Sequence, residues 1–158
     1  MANIKLKGSG YGQFGGFTPY GNVTVLAFAL ATTALGAAAE SNSTAAVKNG
    51  DVIELGILPT GMRLEDAQVI ITTAMTAATT GKLGFVYEDG VDDAAVPQDA
   101  AYFINGGSLA TAARLRASGT KLVVLPKPAK LVLTVGGADN AKASDIKVLV
   151  YGELTGPK

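Results

Sequence analysis

"DVIELGILPTGMRLEDAQVIITTAMTAATTGKLGFVYED", residues 51 to 89, is the stretch that decides the fold. Its three apolar runs are short, rich in β-branched and aromatic residues, and separated by turn residues; they cover 51–58, 66–75 and 81–89. In the first run, Ile53, Leu55 and Ile57 alternate with other residues, as they do in a strand with one face buried. The turn residues are Pro-Thr-Gly and Thr-Thr-Gly. The stretch therefore predicts three successive β-strands.

The same pattern continues on both sides of this stretch. Further strands are predicted at 22–33, 121–125, 129–135 and 144–154, with a strand and connection at 108–118. Residues 22–33 are apolar on both faces, which is typical of a strand between two layers. Strands spaced about 10 residues apart, with no recurrent helical period between them, predict an antiparallel β-sandwich or barrel.

Composition excludes several classes of chemistry. The 158 residues include no Cys, His or Trp, so thiol chemistry, Cys/His zinc sites and histidine-based triads are ruled out. Thirteen basic residues balance thirteen acidic ones without clustering, which argues against nucleic acid as a partner. Charged residues make up only 16% of the chain. A low charge fraction and no net charge favour a subunit of an assembly.

The uncharged segment 23–39 resembles a short membrane span, and its three consecutive alanines resemble a signal-peptidase site. Its threonines and its β-branched start favour a buried strand followed by a loop of small residues. We expect no membrane partner.

"GSGYGQFGGFTPYG", residues 8 to 21, is the other unusual segment, with six glycines in fourteen residues. No strand precedes it and no helix follows it, so it does not match a phosphate-binding loop. Its aromatic residues recur at every third position, as Tyr11, Phe14, Phe17 and Tyr20. We expect residues 1–21 to form an extended arm that docks on another chain through these four rings, and residues 22–158 to form the β-sandwich domain. The alternative is that the rings fold back on their own domain. Lys5 and Lys7 are available for an acidic partner surface, or are simply solvated.

An acidic cluster follows the third strand; it comprises Glu88, Asp89, Asp92, Asp93 and Asp99. Calcium needs several converging oxygen ligands, but the spacing here is not that of an EF-hand. A solvated hairpin loop is the simpler interpretation, and no metal or cofactor is expected. The carboxylate pairs are the minimum for glycoside hydrolysis, yet no tryptophan platform accompanies them. Enzymes are the least supported class, and we expect no catalytic residue.

Residues 51–108 carry a resemblance to a known family. They combine Leu-Pro-x-Gly at a strand end, a β-branched strand, Thr-Thr-Gly before a Gly-Phe strand, an acidic loop and an Asp-x-x-Tyr-Phe segment. This order resembles the decoration, or cement, proteins of tailed bacteriophage heads. The resemblance implies a jelly-roll β-sandwich that forms a homotrimer on the capsid exterior, is made in the host cytoplasm, and bridges major capsid subunits. It brings no catalytic residues.

The sequence thus predicts an all-β, jelly-roll-like antiparallel sandwich preceded by a glycine-aromatic arm, and a capsid decoration protein as its function. Two alternatives stay open. One is another phage structural subunit, from the tail, the head completion or a spike. The other is a carbohydrate-binding module, which needs an aromatic stripe on one sheet.

Overall fold

The computed structural model describes residues 1–7 and 22–155, which form two β-sheets packed face to face. In chain order the strands of these residues are β1 (Asn3–Lys5), β2 (Val23–Thr32), β3 (Val52–Leu58), β4 (Met62–Thr73), β5 (Thr80–Tyr87), β6 (Asp99–Ser108), β7 (Ala113–Arg116), β8 (Val123–Val124), β9 (Ala129–Gly136) and β10 (Ser144–Leu154). The described part of the chain contains no helix.

The strand order is that of a jelly roll. One sheet has the order β1-β3-β9-β5-β6, and the other has the order β2-β10-β4-β7, with β8 also paired to β4. β5 and β6 pair as the innermost hairpin, and around it β4 pairs with β7, β3 with β9 and β2 with β10. The chain is therefore one long folded-over hairpin whose strands are divided between two layers. The predicted sandwich is confirmed, with β1 and β3 as a parallel pair.

The core lies between the two sheets and follows the predicted alternation. Ile146, Val148 and Val150 of β10 have no exposed surface, and the alternating apolar residues of β5 are equally buried. Burial of an aliphatic or aromatic side chain contributes roughly 1.5–3 kcal/mol relative to exposure, so this layer supplies most of the driving force for folding. The strand and connection predicted at 108–118 are confirmed by β7.

Two predictions of burial were wrong. In β3 the pairing with β9 shifts register between Glu54 and Gly56, so Leu58 is buried where Ile57 was expected. Such a bulge inserts one residue and reverses the faces beyond it. β2 does not lie between two layers with both faces covered. It is an edge strand, and only its Leu26, Leu30 and Thr32 side is buried.

The first residues of the predicted arm belong to the sandwich. Asn3 to Lys5 pair in parallel with Val52 to Glu54, and Ile4 is 1% exposed. Residues 8–21 therefore connect two points on the sandwich, β1 and β2. The division of the chain at residue 21 stays a prediction.

The segment 23–39, which resembles a membrane span in sequence, is a strand followed by a loop. Its residues after β2 form the turn that starts the connection to β3. Within residues 1–7 and 22–155, no helix is long and apolar enough to cross a membrane.

A buried asparagine joins the loops at one end of the sandwich. Asn140 has no exposed surface; its Oδ1 accepts hydrogen bonds from Thr76 N (3.1 Å) and Thr76 Oγ1 (3.2 Å). Its Nδ2 donates to Thr32 Oγ1 (3.1 Å) and to Lys142 O (2.9 Å). Gly36 lies against the same residue with φ +81°, and a Cβ there would stand 2.0 Å from the Asn140 carbonyl oxygen. Only glycine fits this close approach.

Candidate partner-binding surfaces

The outer face of the sheet β2-β10-β4-β7 is polar on its β4 and β7 side. Arg63 on β4 forms ion pairs with Glu65 and, at 3.0 Å, with Glu153 of β10. Arg116 on β7 pairs with Asp66 of β4. The pairs with Glu153 and Asp66 join neighbouring strands, whereas Arg63 and Glu65 both lie on β4; all three are partly exposed, so each contributes at most about 1 kcal/mol to stability. The charged groups of these pairs on the β4 and β7 side therefore already have partners within the protein.

A glutamine connects two of these strands further. Gln68 accepts a hydrogen bond from Arg114 of β7 and donates one, at 3.2 Å, to the hydroxyl of Tyr151. The polar side of this face thus carries three groups of hydrogen bonds and ion pairs, centred on Arg63, Arg116 and Gln68.

The β2 side of the same face is apolar. Val23 is 62% exposed and Val25 is 41% exposed, and Ala27, Ala29 and Ala31 continue the line toward the end of the strand. β2 contains no charged residue over its whole length. We call these five outward residues the β2 strip. An uncharged apolar strip on an edge strand is a common feature of protein interfaces.

Lys5, a predicted partner-binding residue, is engaged within the protein. Its Nζ lies 3.7 Å from Glu54 Oε2, and Lys130 Nζ lies 3.3 Å from Glu54 Oε1. Asn3 Nδ2 donates to the same carboxylate at 2.8 Å. The parallel register places Lys5 opposite Glu54, which is visible only once the pairing of β1 is known. The Lys5 side chain is still 57% exposed, so this pair is weak and also open to a partner.

Lys7 is exposed, and its backbone N–H donates to Glu40 O at 2.5 Å. This bond places it at the Ala31 end of β2, beside a shallow depression lined by Leu6, Lys7, Ala29, Ala31, Ala39 and Glu40. The structure does not bring Lys5 and Lys7 into one binding site. The four predicted aromatic anchors, Tyr11, Phe14, Phe17 and Tyr20, lie outside the described residues.

The acidic loop after β5 uses its carboxylates as caps for its own backbone. Asp93 Oδ1 accepts from Ala95 N (2.9 Å) and Val96 N (3.0 Å). Asp92 Oδ1 accepts from Gln98 N at 2.7 Å. These bonds turn the carboxylates toward separate amides. In the described residues no group of three or more acidic side chains has metal-binding geometry.

Lys127 anchors this loop to the sandwich. Its Nζ lies 2.7 Å from Asp89 Oδ2, 2.7 Å from Val91 O and 4.6 Å from the centroid of the Tyr87 ring. The side-chain hydrogen bond from Lys127 lowers the pKa of Asp89 below its usual value. Burial raises the pKa of Tyr87, and the nearby aspartates add to the shift. The cluster is an intramolecular ion pair that accounts for Asp89 and Lys127, two of the charged residues that line a depression together with Glu88 and Pro128.

None of the aromatic side chains that the structure describes is exposed. Phe85 packs edge-to-face on Tyr87 and Tyr102, with centroid distances of 5.8 and 5.5 Å, and Tyr102 packs on Phe103 at 4.9 Å. These rings fill the interior and its margin, and they do not form an outward stripe. The carbohydrate-binding alternative therefore has no support in the described surface. Isolated exposed side chains lie instead on loops, with Leu35 80%, Val91 61% and Leu122 61% exposed.

Solved structures share this fold. The chain aligns with a chain of the structure described as "Capsid of Ralstonia phage GP4" at a TM-score of 0.67 and 18% identity, covering 99% of both chains. It also aligns with a chain of "Cyanophage Pam1 capsid asymmetric unit" at a TM-score of 0.57 and 16% identity, covering 90% of this chain and 91% of that one. No protein-family model and no curated protein matches the sequence. At these identities the likeness shows a common fold.

Proposed function

We propose that this protein is a structural subunit of a bacteriophage particle, and specifically a decoration protein on the outer surface of the head. The observation that carries the proposal is the end-to-end match of its jelly roll to a chain of a phage capsid, with 99% coverage on both sides. A match of the whole sandwich favours an equivalent role over a reused domain.

The mechanism is mechanical. A decoration protein binds across the joints between major capsid subunits. Only the assembled shell presents the surface that these joints form, so binding of the decoration protein stabilises the shell. One modest interface repeated in a homotrimer gains avidity without any single tight site. The self-contained ion pairs of β4 and the capped acidic loop suit a rigid body of this kind. No catalytic residue or cofactor is part of the proposal.

We further propose that the aromatic residues at 11, 14, 17 and 20 anchor the protein to the capsid or to a neighbouring protomer. The segment that carries them starts at β1 and ends at β2, both of which belong to the sandwich. The upper limit that chain length sets on the outward reach of a segment of fourteen residues between two fixed ends is about 23 Å, the span of seven fully extended residues. The anchors therefore serve partners that lie directly beside the sandwich.

The test uses heads of the phage that encodes this sequence, prepared without the protein, and the purified chain added back. Cryo-electron microscopy is expected to show it as threefold clusters distributed over the outer shell. A single sixfold or twelvefold ring would refute decoration and establish the head-completion or tail alternative. Replacing Tyr11, Phe14, Phe17 and Tyr20 together by Ser is expected to abolish binding while leaving the β-sheet circular dichroism unchanged. Undiminished decoration by that variant would refute the anchors alone.

A further inference from the structure

The backbone of β2 has one side available for pairing. The Ala31 carbonyl accepts a hydrogen bond from Ala39 N at 2.8 Å, so residue 31 directs its backbone groups away from β10. Direction alternates along a strand, so Val25, Ala27 and Ala29 direct theirs the same way. Within the described residues, β2 pairs with β10 on its other side, and residues 37–39 cover its open side only at the Ala31 end, through the bridge between Thr32 and Ala38 and the bonds of Ala31 and Thr33.

The other sheet edges carry features that discourage pairing, and β2 does not. β7 presents the exposed residues Arg114 and Arg116, and β1 presents the exposed Lys5. β6 has two register shifts in its pairing with β5 and a positive φ of 80° at Gly106. Charges and bulges of this kind prevent edge-to-edge association. Their absence from β2 indicates an edge that is used.

The β2 strip is complementary to itself. In an antiparallel pair of two β2 strands centred on Ala27, Val25 faces the second copy's Ala29 and Ala27 faces Ala27, while the Ala31 end of each strand stays with its own residues 37–39. Each larger side chain meets a smaller one, and no charge meets a like charge. The same register aligns the outward backbone groups of Val25, Ala27 and Ala29, and the three facing pairs form about six hydrogen bonds.

We propose that β2 joins two copies of this chain edge to edge, antiparallel, about a twofold axis through Ala27. The sheet β2-β10-β4-β7 then continues into that of the second copy. The inference rests on the proposed function, because a single edge strand buries less than the roughly 800 Å² per partner typical of a stable complex. The contact is weak in dilute solution and becomes effective where a shell holds neighbouring copies side by side.

Engineered cysteines test the register directly, since the chain has no cysteine of its own. In the proposed pair, two copies of Ala27→Cys have Cα atoms about 5.5 Å apart, within the range of a disulfide. In the matched control Ala29→Cys, the two thiols are separated by four residues along the paired strands, about 13 Å. At millimolar protein and mild oxidant, Ala27→Cys is expected to form covalent dimers at least tenfold faster. A mixture of Val25→Cys with Ala29→Cys is expected to form mixed dimers.

Equal rates for Ala27→Cys and Ala29→Cys would overturn the inference. So would slow alkylation of the Ala27→Cys thiol relative to Asn105→Cys on exposed β6 at a dilution where the weak pair is dissociated, because the edge is then covered by the same chain. Charge reversal gives an independent check. For the variants Ala27→Lys and Ala27→Glu, light scattering is expected to show loss of self-association. Mixing the two variants is expected to restore it.

The two proposals fail separately. Solution cross-linking of Ala27→Cys without any binding to phage heads would refute decoration and leave edge pairing intact. Head binding by Ala27→Cys with no cross-link on the particle would refute edge pairing and leave decoration intact.

Discussion

The Asn140 side chain offers the sharpest test of how the loops at one end of the sandwich are held. Its amide makes four hydrogen bonds of 2.9 to 3.2 Å to groups from three separate parts of the chain, and it has no contact with solvent. Each net hydrogen bond contributes about 1 kcal/mol, and a buried donor left without a partner costs about 1–3 kcal/mol. Asn140→Ala removes these four bonds and a longer one of 3.5 Å to Gly36 O, and it leaves Thr76 N without its acceptor. We expect the free energy of unfolding to fall by about 4 kcal/mol.

Urea unfolding followed by circular dichroism measures this effect. With an m-value of about 2 kcal/mol/M, the midpoint is expected to fall by about 2 M at unchanged m. Asn105→Ala is the matched control, because Asn105 is exposed on β6, and it is expected to change stability by less than about 0.5 kcal/mol. A loss below about 1 kcal/mol for Asn140→Ala would refute the reasoning, since the amide would then not be bracing the loops.

Three further outcomes are expected. Gly36→Ala should destabilise by more than about 3 kcal/mol in the same urea assay, because its Cβ would stand 2.0 Å from a backbone oxygen. Gly50→Ala, with φ +90° and nothing within 4 Å, should cost only about 1 kcal/mol; equal losses would contradict the role of the clash. The lowered pKa of Asp89 means that its pair with Lys127 contributes stability above the unfolded pKa, about 3.9, which is lost as pH falls through the folded pKa. Carbon-detected NMR titration should place the Asp89 midpoint below the unfolded value, and Lys127→Met should raise it. Millimolar calcium should leave the melting temperature unchanged, because the carboxylates at 88–99 cap backbone amides; a rise of several degrees would restore the metal-site interpretation.

The sequence was sufficient for the class of fold and for most of the core. Alternation in β5 and β10 correctly predicts which side chains are buried, because apolar period and burial coincide wherever a strand has one face on the core. The bulge at Glu54 breaks this coincidence in β3, and no residue there announces it. β1 is too short to show a period, and β6 was not among the predicted strands, since its glycines weaken the pattern.

The candidate surfaces were harder to predict. The strip on β2 has the same composition as a buried face, so sequence alone assigns it to the interior, and only the strand order shows that it is at an edge. The opposition of Lys5 and Glu54 depends on a pairing between segments almost fifty residues apart. Asn140 is buried because loops distant in sequence close over it. In each case the decisive information is which segments become neighbours, and that is a property of the tertiary structure.

The nested pairing of the strands has a consequence for the stage of synthesis at which the protein can fold. β10, the last strand, lies between β2 and β4 and separates strands made much earlier. During synthesis the two layers cannot close until β10 has left the ribosome, because β2 has no neighbour in its sheet before then. Pairing over such sequence separations is also slow. A chain that stops before β10 therefore cannot complete the sheet β2-β10-β4-β7, and the sandwich closes only after this strand has been made.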